Sequence, residues 1–189
     1  RKANPVTDIY CLDAIKKIFT YLPVAAKDGT NRKAREEMAL AAFEAGVCIN
    51  NSSVTIVHGM SRPIGALFHV PHGISNAMLI AECLSWALEG TYERFAQIAR
   101  AIGCSQSADD KTAAESFIEA LKELMKELEV PTLAQYGINY EEFKKVEVKS
   151  KEVKSKLDYL NHHLINNEFE TEYQYNHEFY YWDLQNNLL

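Results

Sequence analysis

The segment that decides the fold of this chain is VHGMSRPIGALFHVPHG, residues 57–73. It holds three of the six histidines, two of the five prolines and three of the eight glycines, and apolar side chains fill most of its other positions. Imidazole binds metals and exchanges protons near neutral pH, whereas Pro restricts the backbone and Gly frees it. A segment with this combination of residues usually has a role beyond packing.

The segment covers the end of one predicted helix and the start of another. Apolar residues at helical spacing predict helices over residues 54–68 and 72–88. Between them, Val70-Pro71 is predicted to be a non-helical link. Because this turn brings the second helix back toward the first, the rings of His58 and His72 are expected to point into one space.

Periodicity and capping signals predict further helices outward from this segment. They are expected over residues 5–22, 32–49, 92–102 and 109–128, with a short helical turn at 132–136 and a last helix at 139–143. Thr7 or Asp8 is the expected cap of the first helix, Ile9 lies on its predicted apolar face, and residues 50–53 are the expected cap of the helix over 54–68. No strand-like alternation or Gly-rich nucleotide loop occurs before position 144, so this part is predicted to be all-α.

The composition of the chain changes near Lys144. All 21 alanines lie before position 135, no Gly or Pro follows Gly137, and eight aromatic residues fall within 159–182. The sequence therefore predicts a helical domain over 1–143 and a different tail over 144–189. The tail is interpreted as a separate module, a fused tag or the product of another reading frame, and its three histidines as unrelated to a metal site.

The totals exclude several classes of function. A formal charge of −6 without a basic cluster disfavours nucleic-acid binding. No run of about 18 apolar residues occurs, and no apolar run follows the first residues, so neither a transmembrane helix nor a signal peptide is predicted. The four cysteines lack CxxC spacing and are interpreted as reduced thiols of a cytoplasmic protein.

The spacing of His58 and His72 is by itself a weak indication of a metal site. Neutral imidazole suits Fe(II) or Zn(II), but satisfied histidines at helix ends are more common at such positions. Both interpretations stay open on the residues alone. A metal hydrolase built on the two histidines is disfavoured, because the motif contains no carboxylate base.

Several motifs, in order, resemble the iron-containing (group III) alcohol dehydrogenases. The central ones are AG at 45–46, NNSSV at 50–54, HGMSRPIGA at 58–66 and VPHG at 70–73; ANP at 3–5, TD at 7–8, AR at 34–35, Met38 and VPTL at 130–133 also match. The resemblance covers about residues 1–143 and is to the C-terminal helical domain of that family. The family's N-terminal α/β dinucleotide-binding domain is not expected in this chain.

The resemblance implies a divalent metal, Fe(II) or Zn(II), held by one Asp and three His. The last two His ligands correspond to His58 and His72, whereas the Asp and the first His belong to a D-x-x-x-H helix expected before Arg1. The implied reaction is hydride transfer between an alcohol or aldehyde and NAD(P), with the metal acting on the substrate oxygen.

Four other residues receive expectations from the same resemblance. Arg62 stands where many members carry a second His near the nicotinamide, so it is a candidate cofactor contact that cannot exchange protons near neutral pH. Ile49 and Val54 are candidates for the substrate pocket, with core packing as the alternative. His69 is expected to be a loop histidine rather than a residue of the cleft.

Two hypotheses follow. In the first, the chain is a fragment of a metal-dependent NAD(P) alcohol dehydrogenase, inactive alone, whose complete form acts on a small alcohol or aldehyde. In the second, it is a non-catalytic helical module that packs against a partner domain or another copy of itself, because a truncated domain exposes the face that met its other half.

Overall fold

The computed structural model of the chain describes residues 3–52 and 54–138, and these residues form helices and connecting turns without strands. The helices are α1 Pro5–Lys27, α2 Arg32–Asn51, α3 Ile56–Phe68, α4 His72–Trp86, α5 Tyr92–Ile102 and α6 Asp110–Glu127, with 3-10 turns at Ala87–Gly90 and Ala134–Tyr136. The all-α prediction is confirmed. The predicted helix over 139–143 and the tail over 144–189, with its histidines, lie outside the described residues.

The helices pack as three consecutive pairs. The main contacts join α1 to α2, α3 to α4 and α5 to α6. Additional contacts of α1 with α5 and α6, and of α4 with α6, join the pairs into one bundle. The site segment, residues 57–73, therefore forms the hairpin of the central pair.

Two apolar clusters form the core. The first lies between α3 and α4 and is built from Val57, Ile64, Val70, Leu79, Cys83 and Ile138. The second lies between α5 and α6, where Phe117 packs against Phe95 with ring centroids 5.7 Å apart and against Phe19 of α1 at 6.1 Å. Ile80 and Leu84 of α4 contact both clusters, so α4 connects the site hairpin to the rest of the bundle.

The start of α1 differs from the prediction, because Asn4 rather than Thr7 or Asp8 is its cap. Asn4 Oδ1 accepts hydrogen bonds from the backbone N–H groups of Val6 and Thr7, both at 3.1 Å, and Thr7 completes a reciprocal capping box. Pro5 favours this start, since the first helical position needs no N–H donor. Asp8 instead pairs with Arg94 of α5, which lowers the pKa of the Asp8 carboxyl.

The end of α1 lies beyond the predicted Leu22. Pro23 lies within the helix, which continues to Lys27. At the end of the helix, just before Gly29, the Asp28 N–H donates a hydrogen bond to the Val24 carbonyl at 2.9 Å. A single proline removes only its own backbone donor, and the residues after it still bond normally here.

The boundary between α2 and α3 also differs from the prediction. Residues 50–53 were expected to cap α3, but α2 continues to Asn51, whose side-chain amide donates to the Val47 carbonyl at 2.8 Å. The cap position of α3 is Thr55, which makes no side-chain capping bond. Ser53 lies outside the described residues.

The outer faces of α1 and α2 carry exposed apolar side chains. Ile9 is 68% exposed and Phe43 67%, and Val6, Leu40 and Ile49 are also exposed. Ile9 was predicted to share one apolar face of α1, but it is exposed, and the residues that α1 buries are Thr7 and Ala14. Taken singly, no described helix is long and apolar enough to cross a membrane; only α2 and α3 together, across a bend of 105°, reach that length and composition.

Candidate metal centre

The structure brings His58 and His72 together. His58 lies in the first turn of α3, and His72 is the first residue of α4. Their ring centroids are 5.2 Å apart, and the ring planes are inclined by 56°. The turn between the helices therefore places the two imidazoles side by side, as the sequence predicts.

The connection between the helices explains this placement. His69 ends α3 in the left-handed conformation, with φ 55° and ψ 29°, and Pro71 precedes α4 with φ −54°. Val70 between them is buried in the α3–α4 cluster. Gly65 permits the close return, because a Cβ atom there would lie 3.2 Å from the Val70 carbonyl oxygen. The link is therefore short, anchored and tightly packed.

A hydrogen-bonded bridge joins the two histidine-bearing helices. The Ser61 hydroxyl, fully buried, donates to Asn76 Oδ1 at 2.8 Å. Because that oxygen accepts from Ser61, Asn76 Nδ2 faces His72, donating to the His72 carbonyl at 3.0 Å and lying 3.2 Å from the ring nitrogen Nε2. The Ser75 hydroxyl donates to the same carbonyl at 2.9 Å. These contacts fix the first turn of α4 relative to α3.

Sequence reasoning missed Ser61 and Asn76. Ser61 follows His58 by three positions and Asn76 follows His72 by four, so each lies one helical turn beyond a histidine and on its side of the helix. That spacing was a usable signal. The partnership between the two residues was not visible, because it crosses from one helix to the other.

The electrostatic environment keeps His58 neutral. Burial lowers the pKa of His58 below its usual 6.5, and the neighbouring His72 ring and the Arg62 guanidinium lower it further. Metal binding requires the neutral imidazole, with a free lone pair. His58 is therefore in its ligand form at neutral pH.

The donor set fits part of a metal site. Two adjacent imidazoles, at least one of them held neutral, suit Fe(II) or Zn(II). Within residues 3–52 and 54–138, no group of three or more His, Cys, Asp or Glu side chains converges. A complete four-ligand site would therefore need donors from outside these residues.

The other candidate residues lie on α3, at its end, and near the end of α2 or the start of α3. Arg62 is half-buried one turn after His58, close enough to act on its pKa. His69 is exposed at the end of α3, as expected for a loop histidine. Ile49 is 48% exposed near the end of α2, and Val54 is half-buried before α3 begins. The roles of Arg62, Ile49 and Val54 toward cofactor or substrate stay predictions.

The described residues thus form an all-helical domain in which two packed helices bring two imidazoles together. Comparison with protein families gives a match over residues 1–169 to the C-terminal domain of the Fe-containing alcohol dehydrogenases. The chain therefore belongs to the iron-containing alcohol dehydrogenase family, and it covers that family's C-terminal domain. The match extends past residue 143, and the domain boundary expected there stays a prediction.

Individual relatives agree with this assignment. The NAD-dependent methanol dehydrogenase of Bacillus methanolicus is 37% identical over 142 residues, which are 74% of this chain and 37% of that protein. The 1,3-propanediol dehydrogenase of Citrobacter freundii is 36% identical over 145 residues, 76% of this chain and 38% of the relative. A crystal structure of 1,3-propanediol oxidoreductase superposes with a TM-score of 0.74 at 34% identity, covering 78% of this chain and 39% of that one. The chain thus spans well under half the length of these relatives.

Proposed function

We propose that this chain supplies the helical domain and two metal ligands of a metal-dependent NAD(P) alcohol dehydrogenase. The observation that carries the proposal is the His58–His72 pair, with ring centroids 5.2 Å apart, in a chain of this family. The substrate class is a small alcohol or the corresponding aldehyde. The named activities of the relatives, on methanol and 1,3-propanediol, support that class.

The residues of the α3–α4 hairpin have different proposed roles. His58 and His72 hold the divalent ion, Fe(II) or Zn(II), and Asn76 with Ser61 sets the position of His72. When bound, such an ion supplies Lewis-acid polarisation of the substrate oxygen. Arg62 contributes a fixed positive charge toward the cofactor and does not exchange protons near neutral pH.

Two apolar residues that precede α3 are the proposed substrate side of the site. Ile49 and Val54 flank the α2–α3 boundary, and their aliphatic side chains suit the carbon chain of a small alcohol. The four cysteines are free thiols, which supports a reducing compartment such as the cytoplasm for this protein.

The 189-residue polypeptide assayed by itself is expected to be inactive. Its described part brings together two imidazoles and no third donor, and it spans 37–38% of the curated relatives above. We expect neither tight NAD binding nor alcohol turnover when Fe(II) or Zn(II) is added. NAD(P)H absorbance with short alcohols and diols measures this, and robust turnover by the purified chain would contradict the expected inactivity.

The experiment that tests the metal role is a Zn(II) titration of the chain by competition with a chromophoric chelator. We expect His58→Ala and His72→Ala each to weaken binding at least about tenfold, because each removes a donor. His69→Ala is the matched control, since His69 is exposed and ends the same helix. Equal affinity in all variants would refute the assignment of His58 and His72.

A second candidate function is a non-catalytic helical module that packs against a partner domain or another copy of the chain. The exposed apolar residues Ile9 and Phe43 on α1 and α2 favour it. Size-exclusion chromatography with light scattering separates the candidates. Self-association that disappears in Phe43→Ser supports the module, whereas a monomer at every concentration speaks against packing between copies.

A further inference from the structure

Two cysteines meet where α1 packs on α2. Cys48 of α2 is buried, with 8% of its surface exposed, and its Sγ donates to the Thr7 carbonyl of α1 at 3.4 Å. In an α-helix, that carbonyl points toward the residue four positions later, which is Cys11. The Cys48 sulfur therefore lies beside Cys11, although the two residues belong to different helices.

The two thiols differ in accessibility. Cys11 is exposed to solvent, whereas Cys48 faces the α1–α2 contact. Burial, followed by the adjacent Cys11 thiol, raises the pKa of Cys48 to about 11. Cys48 is therefore protonated and shielded at neutral pH, and an oxidant in solution meets Cys11 first.

We propose that Cys11 and Cys48 are an oxidation-sensitive pair that forms a reversible disulfide when a hydroperoxide reacts with Cys11. The Cys11 thiolate attacks the peroxide, the O–O bond breaks, and Cys11 becomes a sulfenic acid while the peroxide leaves as an alcohol or water. The Cys48 sulfur then attacks the Cys11 sulfur, the S–O bond breaks, and the Cys48 proton leaves with the hydroxyl group as water. Two thiols and one hydroperoxide thus give one disulfide, one alcohol and one water.

The bond has a structural consequence. It links α1 to α2 near the start of one helix and the end of the other, and it closes the chain between residues 11 and 48. Such a link restricts the unfolded chain and stabilises the helix pair. The α1–α2 pair, which carries most of the exposed large apolar side chains among the described residues, would therefore become harder to open under oxidising conditions.

The test is mild oxidation of the reduced full chain with hydrogen peroxide, followed by alkylation, trypsin digestion and non-reducing mass spectrometry. We expect a Cys11–Cys48 linked peptide pair lighter than the free pair by two hydrogen atoms, which dithiothreitol separates. Cys83, buried beside Met60 in the α3–α4 cluster, is the internal control and is expected to be fully alkylated. Cys104 is exposed like Cys11 and is expected in no linked peptide. Oxidation should also raise the melting temperature by several degrees in the wild type.

Two variants distinguish this pairing from general thiol oxidation. In Cys48→Ser, Cys11 should stop at a sulfenic acid that dimedone traps, and in Cys11→Ser no linked peptide and no rise in melting temperature should appear. Cys83→Ser should leave the link intact. The proposal is overturned if Cys48 stays a free thiol while Cys11 is oxidised, or if the linked peptides join Cys104 to either residue.

Discussion

The α3–α4 and α1–α2 pairs are both helical hairpins, but they bury different kinds of side chain. The α3–α4 pair fills its interior with bulky residues such as Ile64 and Leu79, and it brings the rings of His58 and His72 together. The α1–α2 pair buries small residues such as Ala14 and Ala41, while larger apolar side chains such as Phe43 are exposed.

The two pairs differ in how much of their apolar surface is buried within the pair itself. Close packing of branched side chains holds α3 and α4 in one relative position, which a pair of ligands requires. The α1–α2 pair instead leaves apolar side chains such as Ile9 and Phe43 in contact with solvent. The site hairpin is therefore internally supported, whereas the α1–α2 hairpin leaves larger apolar side chains exposed.

The largest effect is expected from Ile64→Ala in the site hairpin. Ile64 is 1% exposed, so truncation leaves a cavity and should lower the free energy of unfolding by about 2–5 kcal/mol. Phe43→Ala on α2 removes a larger side chain but should change the free energy of unfolding by less than about 0.5 kcal/mol, because Phe43 is 67% exposed. Urea unfolding measures both. Equal losses would remove the distinction between the two hairpins.

Enlarging a small buried residue tests how closely α1 and α2 pack. Ala41 is fully buried there, and Ala41→Val should cost about 1–3 kcal/mol through overpacking. Ala42→Val is the matched control, since Ala42 is exposed on the same helix and should lose only a few tenths of a kcal/mol in helix propensity. If Ala41→Val behaves like its control in thermal unfolding, α1 and α2 are not closely packed at that position.

A smaller effect is expected from the bridge that positions His72. Asn76→Ala removes the amide beside the His72 ring and should weaken Zn(II) binding about tenfold. Asn51→Ala, which deletes an exposed amide at the end of α2, should bind Zn(II) like the wild type. Competition titration gives both affinities, and unchanged affinity in Asn76→Ala would show that Ser61 and Asn76 do not position the ring.

The smallest effect is a pH dependence carried by His58. Its folded pKa lies below 6.5, so the unfolded chain binds protons more readily as the pH falls from 6.5 toward the folded pKa. The free energy of unfolding should therefore decrease over that interval and level off below it. The carboxyl groups of Asp8 and Asp109, with pKa values held below 3.8, contribute only at lower pH.

Two variants isolate that pH dependence. His58→Gln should flatten the profile in the interval just below pH 6.5, as measured by urea unfolding at a series of pH values. Arg62→Gln should raise the pKa of His58 toward 6.5 in an NMR titration, because a nearby positive charge is removed. A His58 pKa that rises in Arg62→Gln supports the close approach of the two side chains, and an unchanged value contradicts it.

Much of the fold was predictable because local signals decide it. Asn31 and Asp109 accept hydrogen bonds from Ala34 and Thr112 N–H groups, as capping residues do, and Gly103 ends α5 in the left-handed conformation. The cap of α1 was missed because three good capping residues lie close together. Only the position of Pro5 decides among them.

The candidate site was predictable in part. His58 and His72 lie on consecutive helices joined by one turn, so their spacing along the chain was enough to predict that they approach each other. The Ser61–Asn76 bridge and the exposure of Ile9 depend on how helix faces are oriented toward one another. That orientation comes from packing across the bundle, which periodicity within one helix does not encode.

X-ray absorption spectroscopy of the Zn(II)-loaded full chain tests the central claim most directly. We predict imidazole scattering from two histidine ligands at about 2.0–2.1 Å from the metal, and the loss of that signal in the His58→Ala/His72→Ala double variant. A spectrum that is the same in the double variant, or one dominated by sulfur ligands near 2.3 Å, would contradict the assignment of these two histidines as the metal ligands of this domain.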